Sequence, residues 1–413
     1  MATPEVVARP APDPRETARP IEIVTYSTLF PNSVQPNHGV FVENRLRHLV
    51  ATGQVSSRVV APVGWVPFDW PLFGRYAANA RVPRSERRNG LQVFHPRVLT
   101  IPKIGMLAAP ALLYASSVRV LRRLRAERNF DLIDAHYFYP DGVAAIMLGS
   151  ALGKPVVITA RGTDVNLIPT YPLPRRMIRA AAQRAAHVIA VSQALKDAVI
   201  ALGIPSKRVT VLRNGVDLRL FHPGGREEAR SRLGFSGLTL ISVGHLIDRK
   251  SHDLVVGAMP HLREYSLVIV GEGPDRPALE RQIAECGLSD RVRLIGAVPH
   301  DHLQEYYAGA DALVLASSRE GWPNVLLEAM ACGTPVIASN IWGNPEVVAA
   351  PEAGRLMAER TAAGIADAVR RLFSSLPDRG ATRRYAERFS WDETSQGQID
   401  VFRRCLASRP LPS

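Results

Sequence analysis

Two successive series of short β-rich runs, each run trailed by a turn or a helical pattern, confine this chain to two α/β units in tandem. In the first half Ile21–Ser27, Ser57–Pro62, Leu132–Ala135, Pro155–Thr159 and His187–Val191 read as strands. Between them Phe41, Leu46 and Leu49 recur within a charged helical segment, and Val143–Leu152 is an apolar helix. Strands alternating with helices form a mostly parallel sheet with helices on both faces. The strand Val209–Leu212 opens into Arg213-Asn214-Gly215-Val216-Asp217 and marks a boundary. A second series follows: Leu238–Val243, Ser266–Val270, Val292–Ile295, Ala312–Ala316 and Pro335–Ala338. The tail is helical over Thr361–Leu376, Thr382–Phe389 and Asp392–Leu406. The expected organisation is a disordered leader over 1–20, a first parallel-sheet domain over 21–205, a second over 206–388, and a closing segment over 389–413. A chain of 413 residues holds two such domains.

Composition removes several classes. The three cysteines, Cys286, Cys332 and Cys405, have neither metal-ligand spacing nor a disulfide framework, and a reducing cytosol is the simplest setting. Residues 1–20 lack the apolar core of a signal peptide. The most apolar stretch, Ile104–Val118, is too short to span a bilayer and is interrupted by Gly105 and Pro110. The charge is uneven: residues 1–200 hold 25 Lys and Arg against 13 Asp and Glu, or +12 of the net +13. Two clusters dominate, Arg81, Arg84, Arg87 and Arg88, then Arg119, Arg122, Arg123, Arg125 and Arg128. A basic face of this kind attracts anionic lipid or phosphate, and solvated surface charge is the alternative. No zinc-finger spacing, basic heptad region or aromatic RNA motif accompanies it, so nucleic acid is not an expected partner.

Chemistry concentrates in two loops of the second half. Behind the apolar run Ala312–Ala316 stands Glu320-Gly321-Trp322-Pro323-Asn324-Val325-Leu326-Leu327-Glu328. The pattern is strand, tight loop, helix. Such a loop offers backbone N–H groups beside one carboxylate, with the second carboxylate on the first helical turns. That suits a polyhydroxylated ligand, because carboxylates accept hydrogen bonds from sugar hydroxyls. A solvated Glu320 and a Glu328 that favours a helix start are the plainer alternative. Val243-Gly244-His245-Leu246-Ile247-Asp248-Arg249-Lys250 also follows a strand and brings two adjacent cations to a Gly-opened loop. Fixed cations stabilise the charge that develops on a diphosphate leaving group; surface charges at a helix start are the other reading. Val270-Gly271-Glu272-Gly273-Pro274 lacks the third Gly of a dinucleotide fingerprint, which argues against a nicotinamide cofactor.

The stretch from Glu320 to Gly333 resembles the paired-glutamate motif of retaining nucleoside-diphosphate-sugar glycosyltransferases of family 4, and the resemblance extends from about Ile21 to about Trp391. It implies the GT-B fold: two Rossmann-like parallel-sheet domains facing across a cleft, with C-terminal helices crossing back onto the first domain. It implies that Glu320 contacts the donor sugar, that Glu328 contacts the ribose, and that Gly321, Trp322, Pro323, Asn324 and Val325 present the loop to the donor. It places Lys250 on the diphosphate with Gly244. His245 stands where the family often has Arg, and Arg249 is a further candidate for the second phosphate contact. The Gly-Glu-Gly loop at 271–273 and the loop Gly296–Pro299 are placed near the nucleotide.

On the first domain the resemblance puts Phe30–Phe41 in the cleft, with Gly39 at close approach and His38 facing an acceptor or without a role. His136, in Asp134-Ala135-His136-Tyr137, is expected to contact the donor sugar near its anomeric region, and Asp141 to cap the following helix. Arg161 replaces a family His in Thr159-Ala160-Arg161-Gly162-Thr163-Asp164. It either binds an acceptor phosphate or pairs internally with Asp164. His136, Lys250 and Glu320 are thus the expected catalytic residues. His245, Asp248 and His252 do not make a convincing metal set, and no divalent metal or tightly bound cofactor is expected. The implied activity is retaining transfer from a nucleotide sugar to a lipid-linked or oligosaccharide acceptor in exopolysaccharide or cell-envelope assembly. The implied place is the cytoplasm, peripheral to the inner membrane. A catalytically inert nucleotide-sugar or polysaccharide-binding scaffold is the alternative.

Overall fold

The computed structural model describes residues 19–65, 79–99 and 105–408. Most of the expected leader over 1–20 lies outside them.

The first sheet has eight strands in the order Val209–Val211, His187–Ala190, Val156–Ala160, Leu132–His136, Ile21–Tyr26, Val55–Val60, Leu91–Phe94 and Ser85–Arg88. Neighbours run parallel except the last pair, which is antiparallel. Leu132–His136 and Val156–Ala160 are buried along their whole length, as expected of central strands covered on both faces. The edge strand Ser85–Arg88 alternates exposed and half-buried residues, and its charges blunt further pairing.

The second sheet is wholly parallel, with six strands in the order Val292–Gly296, Tyr265–Val270, Leu238–Val243, Ala312–Leu315, Val336–Ser339 and Gly354–Met357.

One boundary needs correction. Val209–Val211 pairs with His187–Ala190 and so belongs to the first sheet. The expected division between 205 and 206 therefore falls before the first sheet is complete, and the chain leaves that sheet only after Val211.

The last helix, Trp391–Ala407, returns to the first domain and packs on the helix Val40–Ala51. Ile399, Val401 and Phe402 enter the same core as Ile23, Leu46 and Leu49. His48 and Trp391 stack with ring centroids 5.2 Å apart. The Arg-rich segment and most of the apolar stretch before it form one helix, Gly105–Glu127. Among the described residues no helix is long and apolar enough to cross a membrane. Part of the basic cluster, though exposed, is engaged with the protein: Arg128 pairs with Glu22, and Arg125 donates to the Leu152 carbonyl at 3.1 Å.

Strand order decides where ligands can bind. Open parallel sheets take ligands where the order reverses, beyond the carboxyl ends of the strands. The first sheet reverses between Leu132–His136 and Ile21–Tyr26, the second between Leu238–Val243 and Ala312–Leu315. The segments after these four strands include Phe30–Phe41, Tyr137–Gly142, Gly244–Lys250 and Glu320–Glu328, while Arg161 follows the neighbouring strand Val156–Ala160.

Candidate active site

A cleft of about 490 Å³ opens between the two domains. The second domain contributes Gly244, His245, Arg249, Lys250, Glu320 to Val325, and Glu328 to its walls; the first contributes His38, Gly39 and Arg161. Because their two strands are sheet neighbours, the 244–250 loop and the 317–321 loop emerge side by side. Lys250 Nζ donates to Glu320 Oε1 at 2.6 Å, and Arg249 Nη1 lies 3.7 Å from Glu320 Oε2. Burial pushes the Glu320 carboxyl upward, but Lys250 and then Arg249 more than offset it and hold it below the usual carboxylate range. Glu320 is therefore an anion at neutral pH. His245 is exposed at the rim, with Nδ1 3.4 Å from the Glu272 carbonyl. Of the two candidates for the second cation, Arg249 stands with Lys250. His252 is buried against Ser242.

Glu328 stands at the other end of the same wall, on the helix Asn324–Ala331. Its Oε2 accepts from the Tyr307 hydroxyl at 3.0 Å, and its Oε1 lies 3.0 Å from His300 Nε2. Burial lowers the His300 imidazole, but Glu328 outweighs it and raises His300 above the ordinary range. Trp322 Nε1 donates to the Asn214 carbonyl at 3.0 Å, and Asn214 Nδ2 donates to Asn324 Oδ1 at 3.2 Å. These bonds fix the 320–325 loop to the Arg213–Asp217 segment. The loop also touches the first domain directly: a Cβ on Gly321 would stand 1.8 Å from the Arg161 carbonyl oxygen. Only glycine permits that approach.

On the first domain the structure revises three expectations. His136 does not line the cleft. It is 1% exposed, with Nε2 3.1 Å from Asp134 Oδ2 and Nδ1 2.5 Å from Arg161 Nη2. Arg161 therefore lies in front of it, and the larger side chain at 161 is the physical reason His136 is covered. Arg161 makes no ion pair with Asp164 through its guanidinium. Asp164 instead accepts from the backbone N–H groups of Phe138, Arg161 and Gly162 and shapes the loop. Asp141 is not a helix cap; its carboxylate accepts from the Thr28 backbone and hydroxyl and joins the two switch-point loops. Gly39 does reach the cleft wall. Its glycine is required by a φ of +74° and by the Leu29 backbone, 2.4 Å from where a Cβ would sit. His38 lines the cleft with Nε2 3.1 Å from the Thr28 carbonyl.

Behind the cleft lies a buried polar network that the linear sequence does not display. Arg161 Nη1 donates to Asn214 Oδ1 at 3.2 Å, and Arg45 Nη1 donates to the same oxygen at 3.3 Å. Arg45 Nε donates to Gln398 Oε1 at 2.8 Å, and Gln398 Nε2 donates to Asp134 Oδ2 at 2.9 Å. The terminal helix is thereby linked through Arg45 and Asn214 to the 320–325 loop. Asn214-Gly215 after a strand was a visible loop signal, and His300 directly follows the loop placed near the nucleotide. Arg45 and Gln398 carry no such signal, because each reads as a polar residue on a helix.

Burial, and then the nearby guanidiniums, bring His136 down to about 4 although Asp134 opposes them. The unfolded chain then binds the proton that the folded chain refuses between the ordinary imidazole value and about pH 4. This contribution to stability is lost as pH falls through that window. Asp141, raised by burial to about 7, works in the opposite sense and loses stability as pH rises towards that value. Comparing His136→Gln with the unaltered protein isolates the histidine. Between pH 7 and pH 5 the unaltered protein should lose about 2 kcal/mol more unfolding free energy than the variant. Denaturant titrations at both pH values measure it, and parallel losses in the two proteins would refute it.

Two parallel-sheet domains with their switch points facing across one cleft, and a terminal helix returned to the first domain, define a GT-B glycosyltransferase. The family described as "Glycosyl transferases group 1" matches residues 226–389, and "Glycosyltransferase Family 4" matches residues 73–220. The chain belongs to this glycosyltransferase family. It is 32% identical to a D-inositol 3-phosphate glycosyltransferase of Acidothermus cellulolyticus, over 83% of this chain and 82% of that one. It is 29% identical to a Bacillus subtilis glycosyltransferase named for teichuronic acid biosynthesis, over 78% of this chain and 82% of that one. Among solved structures, sucrose-phosphate synthase of Thermosynechococcus elongatus shares the fold with a TM-score of 0.76 at 21% identity, over 95% of this chain and all of that one. Anabaena HepE, solved with UDP-glucose, shares it at 0.70 and 20% identity, over 94% and 99%.

Proposed function

We propose that this chain is a retaining glycosyltransferase that moves a sugar from a nucleoside-diphosphate sugar to a hydroxyl of a lipid-linked glycan in cell-envelope or exopolysaccharide assembly. The observation that carries this reading is the meeting of Lys250 and Glu320 at 2.6 Å in the cleft. A cation for the leaving diphosphate and an anion for sugar hydroxyls stand together where the sheet order reverses. Lys250 and Arg249 receive the phosphates, Glu320 and the Gly321–Val325 loop the sugar, and Glu328 the ribose. Its ordered carboxylate is supported by Tyr307 and His300.

The bond from the anomeric carbon to the diphosphate oxygen breaks as the acceptor oxygen bonds the same carbon on the same face. The acceptor proton passes to the leaving phosphate. The cleft carboxylates Glu320 and Glu328 are each held by neighbours, which fits recognition better than attack on the sugar. The Bacillus relative's name and the HepE complex with UDP-glucose support an envelope polysaccharide setting and a nucleotide-sugar donor. A screen of UDP-, GDP- and ADP-sugars with lipid-linked acceptors, read by mass and by the anomeric coupling of the product, tests the reaction. An inverted product would overturn the retaining assignment, and no donor binding would favour an inert scaffold.

The membrane part of the reading rests on the +12 of residues 1–200 and on Arg119 and Arg122, exposed on the Gly105–Glu127 helix. Binding to vesicles containing anionic lipid should be strong at low salt and weaken as salt rises. Cosedimentation reads both. Absence of binding at low salt would reject membrane attachment.

A further inference from the structure

A second cavity, of about 700 Å³, lies in the first domain beside the cleft. Leu29, His38 and Tyr137 line both spaces and form their common wall. Tyr137 is held there with a φ of +86°, a conformation non-glycine residues seldom adopt. On the cleft side this wall faces the donor residues already described.

The chemistry of the cavity differs from that of the cleft. Its surface is dominated by side chains such as Phe30, Leu112, Leu113, Tyr139 and Ile168, and its described lining residues include no Lys, Arg, Asp or Glu. That is notable in a half-chain carrying +12. The polar groups present are already used. Asn79 accepts from Gln35 Nε2 at 2.8 Å and donates to the Gly64 carbonyl at 2.9 Å. Asn32 Oδ1 accepts from the backbone N–H groups of Val34 and Gln35. The Tyr139 hydroxyl donates to the Met106 carbonyl. A sugar or phosphate placed here would give up water and find few partners, whereas an alkyl group would lose nothing. At the rim Leu99 and Met106 are 45% and 44% exposed, so the apolar surface continues outward.

We infer that this cavity holds the aliphatic part of a glycolipid acceptor, whose accepting sugar passes over the Leu29–His38–Tyr137 wall into the cleft. The inference rests on the glycosyl-transfer reading and narrows its acceptor class. The group beyond the accepting sugar is uncharged and apolar, and a small phosphorylated polyol, as named for the inositol phosphate relatives, does not suit these walls.

Calorimetric titration of the whole protein with maltose, hexyl maltoside and decyl maltoside, below the micellar range, tests it. Each buried methylene is worth about fourfold in affinity, so decyl maltoside should bind on the order of 100-fold more tightly than hexyl maltoside. Ala109 lines the cavity on the Gly105–Glu127 helix. Ala109→Phe fills the space without touching the donor side, and should abolish the chain-length preference while leaving nucleoside-diphosphate affinity unchanged. Equal binding of the three probes, or a preference that survives Ala109→Phe, overturns the inference. Loss of nucleoside-diphosphate binding in the unaltered protein instead refutes the transferase reading on which it rests.

Discussion

Lys250→Ala should lower turnover at saturating donor by about 10²–10³-fold, the usual cost of removing one preorganised group that stabilises developing charge. The Lys250 side chain is 13% exposed and its ammonium is fixed by Glu320 at 2.6 Å, so it is placed before the reaction begins. When the sugar leaves, the diphosphate gains charge and a nearby cation gains strength in a partly dry cleft. Alanine also leaves Glu320 with Arg249 alone, at 3.7 Å. The Glu320 carboxyl, no longer held down by its principal cation, should titrate higher, and residual activity should shift its acid limb upward in pH. Steady-state rates across pH measure both effects. Turnover equal to that of the unaltered enzyme at saturating donor would remove Lys250 from the phosphate site.

The two sheets were readable because parallel buried strands are nearly continuous apolar runs, as in Val156–Ala160 and Leu238–Val243. Ser85–Arg88 was not, because an edge strand of four polar residues has the composition of a loop and is stabilised by its partner Leu91–Phe94. The residues expected on the donor side come together for a related reason: they lie in two segments that each follow a strand, with Glu328 on the helix that continues the second, so sequence order and spatial order agree. His136 shows where that agreement ends. His136 is the last residue of the strand Leu132–His136, not a loop residue, and whether its ring meets a ligand depends on Arg161, twenty-five residues later and larger than the His expected there. Arg45 and Gln398 are 353 residues apart and meet only because the last helix doubles back. No local pattern carries such a contact, since neither hydrophobic period nor loop chemistry distinguishes a buried helix polar residue from a solvated one.

That buried network sets the second large effect. Asp134→Leu should destabilise the protein by about 3–5 kcal/mol, because it strips the nearby anion from two buried guanidiniums. Asp134 is fully buried, Arg45 is 1% exposed and Arg161 8% exposed. Burial, and then repulsion from Arg45, pull Arg161 down to about 9, and burial pulls Arg45 down to about 10, in both cases against the attraction of Asp134. Without the carboxylate, His136 Nε2 and Gln398 Nε2 also lose their acceptor. Asp134→Asn keeps an acceptor and should cost less. Pairing Asp134→Leu with Arg45→Met removes one of the stranded charges and should recover part of the loss. The double variant should thus be more stable than the sum of the single changes predicts. Denaturant unfolding of the unaltered protein, Asp134→Leu, Arg45→Met and the double variant gives the coupling energy. Strict additivity, or an Asp134→Leu variant as stable as the unaltered chain, would show that the carboxylate is not what neutralises this site. A positive coupling also bears on activity, because Arg161 reaches the cleft while its partners Asn214 and His136 hold it from behind. Breaking the network at Asp134 should then impair transfer even in those molecules that remain folded.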